Sequence, residues 1–225
     1  MDCVVLTYNT LHRKTYDTLC LLKASGYQDV LVWAVPMHYK KTFKPIYEHR
    51  PPLSNQISTK EVCANFGYDY VVSDHGYYGI PADDTTPILS CGAGIIPQEI
   101  VDRYTIINAH PGYIPYARGL DSLKWAIYDG LPIGVTTHFL GDEVDAGKII
   151  ERREIPVFSN DTFHSLAQRV YENEVEMLVG ALKWKEDECF YESAGEYILH
   201  KRMQPEQEMH LMEKFQLLVQ NKAGK

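Results

Sequence analysis

Short apolar runs alternate with amphipathic stretches along most of the chain. The first run, residues 3–8, predicts a strand, and Tyr8, Asn9 and Thr10 follow as a turn. Over residues 15–24 the apolar positions return at helical intervals (Tyr16, Leu19, Cys20, Leu22), and Gly26 closes the segment. Residues 29–35 read as a second strand. Strand, helix, strand at this spacing predicts a βαβ unit and a parallel sheet. Ser58 and Glu61 fit a capping box that opens a helix through Phe66. Further strands are expected at 69–73, 87–91 and 105–109, with Pro97 leading a short helix over 98–104. A helix over 120–128 stops at Gly130. Residues 134–140 and 148–157 pair as a hairpin. A long amphipathic helix follows over 161–185 (Phe163, Leu166, Val170, Val175, Leu178), with Asp161 as its N-cap. Residues 196–199 read as a strand and 205–219 as a helix. The expected fold class is α/β: a Rossmann-like, mostly parallel twisted sheet flanked by helices. One catalytic domain covers 1–185, and a strand/helix extension over 186–225 packs on it.

Composition changes this picture little, and charge somewhat more. At 225 residues, 45% hydrophobic and 23% charged, the chain can bury one sizeable α/β core. A formal net charge of −8 argues against a broad nucleic-acid surface. No apolar stretch approaches the ~18 residues of a membrane span. The start of the chain lacks a basic region and a long apolar core of the secretory kind. Cys3, Cys20, Cys63, Cys91 and Cys189 are odd in number and scattered, which fits reduced thiols in a cytoplasmic protein. Residues 36–52 are basic and aromatic (His38, Lys40, Lys41, Lys44, Tyr47, His49, Arg50). They read either as a solvated surface loop or as the rim of an anionic-substrate site.

The candidate chemistry gathers in the middle of the chain. Ile106 and Ile107 run apolar into Asn108-Ala109-His110, and Pro111-Gly112 break the run. This delivers an amide and an imidazole to the carboxyl end of a strand, where open α/β sheets place their sites. Downstream, Gly134 to Phe139 is strand-like and leads into the acidic loop Asp142 to Gly147. His110, His138, Asp142 and Asp145 are acceptable metal ligands but lack tight ligand spacing, so no metal is expected. After the first strand, Tyr8-Asn9-Thr10-Leu11-His12 stands where a dinucleotide enzyme needs Gly-x-Gly-x-x-Gly.

The ordered set Asn108-x-His110-Pro111-Gly112, Pro115, Arg118-Gly119, Trp125, Gly134-Val135-Thr136, His138 and Asp142-x-x-Asp145-x-Gly147 resembles the folate-dependent formyltransferases. That family includes glycinamide ribonucleotide, methionyl-tRNA and sugar-nucleotide enzymes. The resemblance covers residues 88–157 and is closest to the sugar-nucleotide N-formyltransferases, because the purine-pathway glycine loop is missing and Arg118, Gly119 and Trp125 are present. It implies direct attack of an amine on the formyl carbon of 10-formyltetrahydrofolate. Asn108 and His110 would be donors to the tetrahedral oxyanion, and Asp145 the proton acceptor. It places the folate against Ile88, Leu89, Ser90, Cys91 and Gly92 on one side and Gly141, Asp142, Glu143 and Val144 on the other. His138 is expected to orient rather than react. Asn9 is expected to touch the amino sugar of a dTDP- or UDP-linked substrate. Other small amines, such as glycinamide ribonucleotide or a hydroxylated amino acid, remain alternatives, as does an idle folate-binding module. Residues 193–202 are expected to shelter the site or to form a homodimer contact.

Overall fold

The computed structural model describes residues 1–37, 44–53, 56–145, 147–192 and 195–223. His38, Lys40, Lys41 and Ser193, singled out above, lie outside them. Seven strands form one sheet: β1 (Cys3–Tyr8), β2 (Val30–Val35), β3 (Asp69–Val72), β4 (Ile88–Ser90), β5 (Ile106–His110), β7 (Gly134–Phe139) and β8 (Ile149–Glu154). Their spatial order is β3-β2-β1-β4-β5-β7-β8. The first five run parallel, β7 runs antiparallel to β5, and β8 runs antiparallel to β7 and so in the direction of the first five. A two-stranded parallel ladder joins β6 (Arg118–Gly119) to β9 (Leu199–His200).

Side-chain alternation splits the central strands between two apolar layers. Val5, Leu89 and Ile107 face Leu19 and Leu22 of α1 (Arg13–Ala24) and Leu178 of α5 (Phe163–Gly180). Val4, Leu6, Ile88 and Ile106 face Ile100 of α3 (Gln98–Val101). A third cluster joins α4 (Ser122–Asp129), α5 and α6 (Pro205–Ala223) through Leu123, Ala126, Leu166, Val170, Leu211 and Phe215. Through Leu211 and Phe215, α6 therefore packs against α4 and α5. No helix among the described residues is long and apolar enough to cross a membrane.

Helix ends differ from the sequence reading for local reasons. The capping box at α2 (Thr59–Phe66) forms between Ser58 and Glu61 as expected. In α5 the N-cap is Thr162, not Asp161: the Thr162 hydroxyl accepts the Ser165 N–H, and Ser165 reaches back. The Asp161 carboxylate instead takes the Phe158 N–H at 2.8 Å and pairs with Arg169 at 2.7 Å. The same helix ends at Gly180 and tightens into a 3-10 turn over Ala181–Lys183, short of Lys185.

Candidate active site

The site is assembled where β5 meets the antiparallel β7. In this register Asn108 faces His138 and His110 faces Thr136. Thr136 fixes the turn after β5: its hydroxyl donates to the Gly112 carbonyl at 2.8 Å and accepts the Ile114 N–H at 3.1 Å. Asn108 Nδ2 lies 3.4 Å from His138 Nε2. The His138 Nδ1 lies 2.9 Å from the Phe139 carbonyl. A carbonyl only accepts, so the proton sits on Nδ1 and leaves Nε2 free to accept from Asn108.

His110 is oriented by the same logic. Its Nε2 lies 2.8 Å from the Ala117 carbonyl and 3.0 Å from Ser122 Oγ, whose own proton goes to the Gly119 carbonyl at 2.9 Å. Nε2 therefore carries the hydrogen. Its other nitrogen, Nδ1, faces Asp145 Oδ2 at 3.4 Å. This departs from the donor role expected from sequence: the imidazole N–H goes to the Ala117 carbonyl, and the ring presents Nδ1 to the carboxylate.

Asp145 is 9% exposed and has a left-handed backbone, φ 51°. Asp and Asn adopt that region more readily than most residues. Its Oδ2 accepts the Gly119 N–H at 2.9 Å, and Oδ1 lies 3.6 Å from His138 Nε2. Burial works to raise its pKa, but His110, His138 and the Gly119 amide outweigh burial and hold it below the ordinary carboxylate range. For His110 burial wins over the attraction of Asp145, and its pKa is lowered. At neutral pH the pair is a carboxylate beside a neutral imidazole, able to take up a proton.

The acidic loop is held by Arg118, itself 6% exposed. Its Nε and Nη2 donate to the Val144 carbonyl at 3.2 and 2.7 Å, and Nη2 reaches Glu143 at 3.4 Å. Gly147 closes the loop against β7. A Cβ there would lie 1.7 Å from the Phe139 carbonyl oxygen, so only glycine fits. Arg118→Lys is expected to lower kcat roughly tenfold to a hundredfold, because one ammonium cannot reproduce the planar two-nitrogen grip. The low-pH limb of the rate profile should move upward with it. An unchanged profile would show that Arg118 does not position Asp145.

Two clefts flank this loop. The larger, about 1060 Å³, is lined by Leu140, Gly141, Asp142, Glu143, Trp184 and Tyr191 among others, and contains neither Asn108 nor His110. The other, about 800 Å³, holds Asn108, His110 and Asp145 together. The expected folate contacts are divided between them. Cys91 and Val144 line the 800 Å³ cleft, and Gly141, Asp142 and Glu143 the larger one. Ile88 and Leu89 are fully buried on opposite faces of the sheet, and Ser90 is 9% exposed. Gly92 packs against Tyr8 and His12, whose ring atoms would stand 2.8 to 3.0 Å from an added Cβ. The β4 residues thus offer backbone rather than side chains to a ligand. Gln98, the first residue of α3, donates to Asp142 at 3.0 Å and ties that helix to the acidic loop. Asn9 is exposed and does not line the 800 Å³ cleft. Its backbone N–H donates to the Val35 carbonyl of β2 at 2.9 Å, and His12, Arg13 and Lys14 line the cleft. Among the described residues no group of three or more His, Cys, Asp or Glu could hold a metal ion.

A buried ionic cluster underlies the same cleft. Glu174 of α5, 1% exposed, pairs with Lys14 at 2.8 Å and with Arg50. Lys14 also donates to the Ala109 carbonyl at 3.2 Å, between the two candidate catalytic side chains of β5. Burial works to raise the Glu174 pKa, but Arg50 and Lys14 draw it down to about 2. Burial first, then Lys14 and Arg50, lowers His12 to about 4. Burial, Arg50 and Lys124 lower His49 to about 3.

The sign of the resulting pH dependence follows. A histidine held neutral in the fold but titrating near 6.5 when unfolded gives stability that is whole above that pH. That stability is lost as pH falls from about 6.5 toward the folded values of about 4 and 3. The Tm is expected to fall between pH 7 and 4.5, and His49→Asn should flatten part of the slope. A level Tm across that window would contradict the assignment.

Known proteins resemble the chain in sequence over its middle part and in fold. Residues 88–182 match the formyl transferase family. Over 83 residues the chain is 36% identical to dTDP-4-amino-4,6-dideoxyglucose formyltransferase of Mycobacterium tuberculosis, covering 37% of this chain and 36% of that one. Over 93 residues it is 34% identical to phosphoribosylglycinamide formyltransferase of Haemophilus influenzae, covering 40% and 44%. The matched stretches thus span less than half the length of these two relatives. A 4-N formyltransferase from Francisella tularensis shares the fold, with a TM-score of 0.59 at 19% identity over 94% of this chain and 86% of that one. WlaRD, a sugar 3N-formyl transferase solved in the presence of dTDP and 5-N-formyl-THF, shares it with a TM-score of 0.60 at 17% identity over 97% and 80%. The similarity to formyl transferases is thus carried by the segment 88–182.

Proposed function

We propose that the protein moves a formyl group from 10-formyltetrahydrofolate to the amine of a nucleotide-linked dideoxy amino sugar. The convergence of Asn108, His110 and Asp145 on one cleft carries this reading. The Asn108 amide donates to the oxygen of the formyl carbon as it becomes tetrahedral, and losing one such donor costs about 3 kcal/mol. Asp145, ionised and close to His110, takes the proton released by the attacking amine, directly or through one water. Nδ1 of His110 can share that proton, because Nε2 is already committed to Ala117. The proton then returns to the leaving nitrogen of the donor. Holding both reactants in one cleft contributes through proximity and orientation.

The folate contacts fall on backbone-rich segments: the turn after β4 at Cys91 and Gly92, and Gly141 to Val144 of the acidic loop. Such segments can match the donor and acceptor edge of a flat heterocycle. When bound, the folate supplies the activated one-carbon unit. The choice of a sugar nucleotide draws support from the mycobacterial relative and from the absence of a glycine loop after β1. Consumption of formyl-folate should be measured with dTDP- and UDP-linked amino sugars, glycinamide ribonucleotide and small amines in parallel. Turnover confined to the amino sugars is the expected result. Turnover with glycinamide ribonucleotide alone would transfer the assignment to that acceptor. Folate binding with no turnover on any amine would leave a binding module.

A further inference from the structure

The cleft beside Asp145 carries more positive charge than the transfer chemistry uses. Arg13, Lys14, Arg50, Lys201 and Arg202 line it, against the carboxylates of Asp121, Asp145 and Glu174. The chain as a whole has a formal net charge of −8. Local pairing leaves a surplus. Arg13 is matched by Asp17 at 2.5 Å. Lys14 and Arg50 share the single carboxylate of Glu174, so that trio keeps one positive charge. Arg202 lies 3.6 Å from Asp121, whose other oxygen accepts the Met203 N–H at 3.0 Å. The Lys201 ammonium pairs with no carboxylate among the described residues. Arg50 and Arg202 line the same cleft, together with half-buried His49.

The backbone under these cations is fixed. The β6–β9 ladder holds Leu199 and His200, and the Leu120 N–H donates to the His200 carbonyl at 3.0 Å. Trp125 Nε1 donates to the Lys201 carbonyl at 2.8 Å, and its ring stacks on His200 at 4.6 Å. Lys201 and Arg202 therefore extend from a rigid strap, with exposed side chains. With ionised Asp145 counted, about one surplus positive charge remains, and the guanidinium forks among the cations suit the oxygens of a phosphate group.

We propose that Arg50, Lys201 and Arg202 form a phosphate-binding wall that holds the phosphate or diphosphate group of the amine-bearing substrate. The wall replaces the missing glycine loop after β1 with side chains from the 44–53 segment and the C-terminal strap. Its role in turnover rests on the transfer reading above; its affinity for the anion does not.

Calorimetric titration of the full chain with inorganic pyrophosphate, uridine diphosphate and uridine tests it. Both diphosphates should bind at low salt, with affinity falling linearly in log salt concentration, and uridine should bind far more weakly. Lys201→Gln and Arg202→Gln should each weaken the diphosphates by roughly tenfold. Lys201→Gln serves as the fold-neutral variant, because that side chain is exposed. Binding of uridine as tight as that of its diphosphate would overturn the wall. So would unchanged diphosphate affinity in both variants, or no diphosphate binding to the unaltered protein. If pyrophosphate and uridine diphosphate bind alike, the phosphate group alone is recognised. If uridine diphosphate binds tighter, the nucleoside adds contacts to the same wall. Should the protein turn over an amino sugar, both variants are expected to raise the KM for that acceptor and to leave the KM for formyl-folate unchanged. Loss of anion binding thus sinks this proposal, and absence of turnover sinks only the transfer reading.

Discussion

Asp145→Asn is expected to lower kcat by roughly 10² to 10⁴-fold, the usual range for removing a positioned proton acceptor. The KM for either substrate should change little. Asparagine keeps the size of the side chain, retains an oxygen for the Gly119 N–H, and tolerates the φ of 51° at this position. What it loses is the charge facing His110 at 3.4 Å. The pKa of His110 should then fall further, because burial lowers it and Asp145 is the largest influence opposing burial. Steady-state rates, with a melting curve to show that the fold is intact, decide the matter. A loss below fivefold with unchanged Tm would remove Asp145 from the proton path.

The second large effect is on stability. Lys124 on α4 and Glu208 on α6 form an ion pair in which both side chains are fully buried. The second Glu208 oxygen accepts the Ile46 N–H at 2.6 Å. One carboxylate thus ties two helices to the 44–53 segment. Lys124→Ala leaves that carboxylate buried and unpaired, and breaking such a pair from one side typically costs about 3–5 kcal/mol. In a chain of this size each kcal/mol lowers Tm by about 2–4 °C. A fall of roughly 6–20 °C is therefore expected. Lys124→Met with Glu208→Leu should recover most of it, since an apolar pair needs no compensation for desolvation. Equal losses in the single and double variants would mean that packing around Lys124, and not its charge, holds the helices together.

The parallel half of the sheet was legible because each strand is a short apolar run bounded by turn residues, as in Cys3–Tyr8 and Val30–Val35. The β7–β8 hairpin was also legible, its two strands separated only by the acidic loop. Asn108, His110 and Asp145 could be named together through the resemblance. Their spacing alone would not have done it, because Asp145 reaches His110 only after the chain has turned back along β7. The direction of each imidazole was not legible, since it depends on the carbonyls of Ala117 and Phe139, which no side-chain pattern encodes. Asn9 lies outside the cleft that holds Asn108 and His110, and its N–H continues the β1–β2 ladder to the Val35 carbonyl. The Glu174 cluster left a trace that went unread. Glu174 interrupts the apolar stripe Val170, Tyr171, Val175, Leu178 on α5, and a carboxylate on a buried face calls for a cation. Lys124 interrupts Leu123, Ala126 and Ile127 in the same way. Neither pattern says which partner will arrive, because Lys14 and Glu208 come from distant parts of the chain.

The stacking of Trp125 on His200 gives the protein an optical readout of its own strap. The rings lie 18° from parallel, and the indole nitrogen is bonded to the residue that carries the Lys201 ammonium. A protonated imidazole quenches indole emission by accepting an electron from the excited ring, and a neutral one does so far less. Burial lowers the His200 pKa from 6.5, so the emission should stay bright through neutral pH and dim only in mildly acid solution. Trp33 is hydrogen-bonded to Gly76, and Trp184 lies edge-on to Phe139; together they supply a steady background. An anion settling on Lys201 would favour the imidazolium and shift the dimming toward higher pH, so ligand occupancy can be followed by fluorescence without a label.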